Sequence, residues 1–205
     1  GGLCGAQRTA PQARAGTRSL DALARYLQGE DAFLEGRYGD AVTSFRAALD
    51  ADPEFAWAGY RLSASLLCSL QFLEAHAVAG RAAEAATDLP AHRRTLIQAW
   101  RDFLEGDVSD AEAGFARVLA VDPDEPEALF GLAELRAHYN PLLGRDPDEA
   151  VRDFEAVLDV YDRHGETVHH LLEVAARDGD LDRFRDLVAR LPEDGDQVPA
   201  WEAVG

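Results

Sequence analysis

Residues 29–53, GEDAFLEGRYGDAVTSFRAALDADP, set small, aromatic and helix-ending side chains at positions that permit few folds. Gly29 lets a partner helix come close, Ala41 and Ala48 keep the second helix slim, Phe45 fills the gap between the two, and Pro53 stops the second helix. The product is a helix hairpin whose apolar face it cannot bury alone. Another hairpin has to cover that face.

The pattern recurs. Leu62, Ser63, Phe72, Ala75 and Ala82 occupy the corresponding places in a second copy, whose closing proline, Pro90, comes late. A third copy has Ala99, Gly106, Ala111, Phe115, Val118 and Pro123, and a fourth has Leu132, Ala133, Ala150, Phe154 and Val157 around an inserted stretch. Leu171, Gly179, Leu181 and Val188 mark a degenerate fifth. With Gly36 and Tyr38 in the first copy, this set resembles the tetratricopeptide repeat (TPR) of about 34 residues. The resemblance implies an all-α, right-handed solenoid of about five helix hairpins, each touching only its neighbours.

The expected organisation is a Gly/Ala/Arg-rich tail or linker at 1–18, a solenoid at 19–191 and an acidic tail at 192–205. The repeats divide at about 22–55, 56–90, 91–125, 126–164 and 165–191. Ser19 is placed to cap the first helix, and Pro90 and Pro126 to open later ones. Asn140-Pro141 is expected to end the helix that starts at Pro126, leaving a long loop over 139–146 in which His138 and Tyr139 hydrogen-bond.

Charge narrows the partners. The formal net charge is −18, with 38 acidic residues against 20 basic ones, every one of them arginine. Such a surface repels phosphate, so nucleic acid is not an expected ligand. No apolar run is long enough to cross a bilayer, and no secretory signal pattern is present. The first 18 residues hold three arginines and no acid, so an acidic solenoid, its own or a neighbour's, is a natural dock for them. Cys4 and Cys68 are too few for a disulfide framework; one bridge between tail and repeats, or a free thiol at Cys68, are both open.

No catalytic constellation, cofactor loop or metal motif emerges. GxxxxGK[ST], HExxH and CxxC are all missing. His169 and His170 are adjacent, so on a helix they diverge by about 100° and do not share a metal. Acidic pairs such as Asp122/Asp124 and Asp146/Asp148 sit beside prolines, where carboxylates cap helices. The expectation is therefore a chain that is not an enzyme, with no cofactor and no metal.

What remains is a surface. The first helix of each TPR hairpin lines a concave face, and in this register Tyr26, Trp57, Tyr60, Arg93, Trp100 and Phe130 fall on it. They are the candidate partner-binding residues, in an aromatic groove suited to a peptide or partner segment. Chaperone-type carboxylate capture is not expected, because Tyr26 stands at the place of the first-repeat lysine.

SLDALARYLQGEDAFLEGRYGDAVTSFRAALDADPEFAWAGYRLS, followed later by HYNPLLGR, resembles the TPR region C-terminal to the kinase domain of bacterial serine/threonine protein kinases. No kinase motif is present, so the resemblance implies a bacterial sensor or scaffold module, cytoplasmic or extracytoplasmic, and lends no catalytic residue. Two functions follow as expectations. One is a non-catalytic interaction module that takes a peptide in its groove. The other is a structural subunit that self-assembles, or packs into a larger filamentous or membrane-associated complex, through its tails and solenoid ends.

Overall fold

A computed structural model describes residues 16–162 and 164–191. The expected tail at 1–15, with Cys4, and the acidic tail at 192–205 lie outside the described residues. Among the described residues ten α-helices run in order: α1 Leu20–Leu34, α2 Tyr38–Ala51, α3 Ala56–Cys68, α4 Phe72–Ala85, α5 Ala91–Glu105, α6 Val108–Leu119, α7 Pro126–Leu143, α8 Asp148–Val160, α9 Gly165–Asp178 and α10 Leu181–Val188. The fold is an all-α solenoid of helix hairpins, with no strand among the described residues.

Local chemistry sets the helix ends. Ser19 Oγ accepts from the Ala22 N–H at 3.1 Å, satisfying one of the donors that α1 leaves unpaired at its start. Pro90 sits at the N-cap of α5, and Pro126 in the first turn of α7. Cys68, on α3, is half-buried.

Two compact units divide the chain: residues 16–32 with Tyr38–Gly114, and Phe33–Arg37 with 115–191. In the first unit α2 packs on α3, α3 on α4 and α4 on α5, and α3 also meets α5. That is the nearest-neighbour logic of a repeat. Gly29 faces the Phe45 ring so closely that a Cβ on it would lie 2.6 Å from Cε1. The glycine is what admits the phenylalanine, and the ring is fully buried.

In the second unit α7 packs on α8, α8 on α9 and α9 on α10. Here the sequence expectation needs correcting, because Pro141 does not end its helix. α7 runs on to Leu143 with Pro141 inside it. A proline in the last turn removes only one helical hydrogen bond, and that end is held in other ways. The N–H groups of Gly144, in the left-handed conformation, and of Arg145 both donate to the Asn140 carbonyl. Asn140, fully buried, also donates from Nδ2 to the Asp146 carbonyl at 3.0 Å and to Glu149 Oε2 at 3.2 Å. The connection to α8 is therefore short, and His138 lies on the helix, outside any loop.

Candidate functional site

Four of the six residues expected to line a groove, Tyr26, Trp57, Tyr60 and Trp100, come together around a ladder of rings in the first unit. Trp57 and Tyr60 lie with centroids 5.0 Å apart, Tyr60 meets Trp100 edge-on at 5.6 Å, and Trp100 meets Phe103 at 5.3 Å. The polar edges are satisfied inside the ladder. Trp57 Nε1 donates to the Tyr26 hydroxyl at 2.8 Å, and Trp100 Nε1 donates to Ser63 Oγ at 3.1 Å. Buried indoles and phenols need such partners, and here they find one another.

The ladder is core. Tyr60 and Trp100 are at most 1% exposed, and Tyr26 and Trp57 keep only a rim, at 9% and 7%. Phe130, in the second unit, is buried too and packs 4.7 Å from the His164 ring. Helical spacing identifies the face a side chain lies on. It does not say whether a neighbouring helix covers that face. Arg93 is the exception, half-buried, with its guanidinium 4.6 Å from the centre of the Trp57 ring.

Beneath the ladder lies a group the sequence did not single out. Arg61 is 1% exposed and donates from Nε to Glu30 Oε1. An arginine in the apolar run of α3 is tolerated because its charge is paired across the hairpins.

The second unit assembles polar chemistry of another kind. Glu134 is 3% exposed on α7, yet it is a carboxylate. Its Oε1 lies 2.8 Å from His170 Nε2 of α9, and its Oε2 lies 3.4 Å from His138 Nε2, one turn along α7. His170 Nε2 is also 3.7 Å from Glu166 Oε1, one turn back on α9. Burial alone would raise the Glu134 carboxyl, but the His170 charge, aided by His138, outweighs it and holds the group at about 2. Burial would likewise lower His170, and Glu134 above all raises it instead, to about 9. The Phe154 ring stacks on His170 at 4.5 Å and fixes its plane.

Nearby, the His164 ring lies 5.9 Å from Phe33, and its Nδ1 accepts from the Thr167 N–H, capping α9. His169 is not part of this cluster. The cluster forms instead from residues on two different helices. The only sequence signal for it was the repeated Glu-x-x-x-His spacing at 134/138 and 166/170.

Residues 6–56 and 98–138 match the family model described as Tetratricopeptide repeat. Among solved structures, MamA is similar at 14% identity, over 87% of this chain and 98% of that one, with a TM-score of 0.43. YrrB, described as a TPR protein with an unusual peptide-binding site, is similar at 17% identity over 90% and 92%, with a TM-score of 0.44. PilW, described as a widely conserved type IV pilus biogenesis factor, shares 21% identity over 96% and 84%, with a TM-score of 0.45. No curated protein matches the sequence. No helix among the described residues is long and apolar enough to cross a membrane.

Proposed function

We infer that the chain is a non-catalytic protein–protein interaction module whose TPR hairpins hold a partner's peptide segment at the rim of the aromatic ladder. The observation that supports this reading is the Arg93 guanidinium lying over the Trp57 ring. A half-buried cation on an aromatic face offers a site for an apolar side chain beside a carboxylate. In this reading Tyr26, Tyr60 and Trp100 act from behind, holding Trp57 in one place, and Phe130 packs the second unit. A region of this kind, like the one it resembles in bacterial serine/threonine kinases, serves as a sensor or scaffold.

The test is a phage-displayed random peptide library panned on the full chain. The expected outcome is a family of peptides with an acidic residue next to an apolar one, whose binding is lost in Arg93→Ala. Peptides that bind Arg93→Ala as well as the parent chain would contradict the assignment of the site.

A second reading, self-assembly, is favoured by one feature of α10. Leu181 and Val188, two turns apart on that helix, are 63% and 44% exposed. An uncovered apolar edge on a repeat is a surface on which another copy can stack. Light scattering after size exclusion, on the full chain and on one lacking residues 1–18, decides it. An oligomer dispersed by Leu181→Asp or by the truncation supports assembly, and a monomer at every concentration and salt ends it.

A further inference from the structure

Glu134 presents a problem that its ion pair does not fully solve. Its Oε1 is buried and accepts no directed hydrogen bond, although His170 Nε2 is only 2.8 Å away. The imidazole N–H does not point at that oxygen. One ligand atom each from Glu134, Glu166 and His170 lie within 4.8 Å of one another.

We propose that Glu134, Glu166 and His170 form a binding site for a divalent transition-metal ion of the zinc class, with His138 at its edge. Ligand atoms 2.0–2.2 Å from a tetrahedral ion stand roughly 3.4 Å apart. The separations of 2.8 Å and 3.7 Å from His170 Nε2 bracket that value, so small side-chain rotations suffice. One imidazole and two carboxylates suit zinc or its neighbours, whereas calcium takes six to eight oxygens and magnesium keeps most of its waters. Two anionic ligands neutralise the ion, which removes the cost of leaving the Glu134 charge buried beside another carboxylate.

The surroundings fit the same reading. The stacked Phe154 ring holds His170 in the orientation a ligand needs, as outer contacts do in metal sites. A cavity of about 370 Å³, lined by His138, Phe154, His170 and Glu173 among others, reaches the cluster at its His170 side. The ion would reinforce the direct contact that Glu134 and His170 already make between α7 and α9.

The experiment uses the full chain without an affinity tag, stripped of metal, titrated with zinc chloride by calorimetry, and with cobalt(II) followed by visible absorption. The expected result is one zinc per chain and the visible bands of a cobalt ion with nitrogen and oxygen ligands in a low-coordinate site. Glu166→Gln, which removes a partly exposed ligand, should weaken zinc binding by about tenfold or more. His170→Gln should do so more strongly, and His169→Ala should leave binding unchanged. Circular dichroism of each variant shows whether it is folded. If His170→Gln does not fold, Glu166→Gln alone decides. The absence of zinc binding by the parent chain, or binding of equal strength in folded Glu166→Gln, overturns the proposal.

Discussion

Where α3 and α5 meet in the first unit, the contact is Tyr60 against Trp100, with Trp57 and Phe103 extending the stack. Where α7 and α9 meet in the second, the contact is Glu134 against His170. The two pairs do the same work, joining the first helix of one hairpin to the first helix of the next. The aromatic pair is held by area and shape, so it is indifferent to protons and salt. The charged pair is held by two protonation states at once. One repeat architecture thus accommodates both an inert joint and a responsive one.

The sharpest way to break the inert joint is Trp100→Ala. It removes the largest fully buried side chain among the described residues and leaves Ser63 Oγ without its indole donor. The expected loss is about 3–5 kcal/mol, read as a lower urea midpoint at unchanged slope. Next comes Glu30→Ala, which strands the buried Arg61 charge. Because Glu30 retains 23% side-chain exposure, the expected loss is about 2–3 kcal/mol. Arg61→Met should recover most of it in the Glu30→Ala background.

The responsive joint is broken with pH. The Glu134 carboxyl is at about 2 in the fold against 4.5 otherwise, so its contribution is present above pH 4.5 and is lost as pH falls toward 2. His170 is at about 9 against 6.5, so its contribution is complete below pH 6.5 and is lost as pH rises toward 9. Thermal unfolding of the metal-free chain should therefore show its highest midpoint between pH 4.5 and 6.5. His170→Gln should flatten the alkaline side of that profile, an effect on the order of 2 kcal/mol.

Gly131→Ala is milder still. The new Cβ would lie 2.4 Å from the Phe115 ring, which has to shift, at about 1–2 kcal/mol. At the bottom of the scale stands Arg46→Ala, which loses a pair with Glu74 whose two side chains are 46% and 45% exposed. It should change stability by less than about 0.5 kcal/mol.

Much of the scaffold was legible before the structure, and the reason is local chemistry. Ser19, Pro90, Pro126 and the Gly29–Phe45 contact act within one hairpin, so spacing alone places them. Pro141 misled because its effect depends on what else holds the helix end, here Asn140 and Gly144. Tyr26, Trp57, Tyr60 and Trp100 were expected on an open groove, but burial is decided by the next hairpin, which periodicity within one helix does not describe. Glu134 and His170 were invisible as a pair for the same reason: each looks like a surface residue until α7 and α9 are brought side by side.

The contrast between the two joints is tested most directly by hydrogen exchange of the metal-free chain at pH 6 and pH 9, corrected for intrinsic rates and read peptide by peptide. Protection in α7 and α9 should fall at the higher pH while protection in α3 and α5 holds. An equal change in all four helices, or a loss confined to α3 and α5, would contradict it.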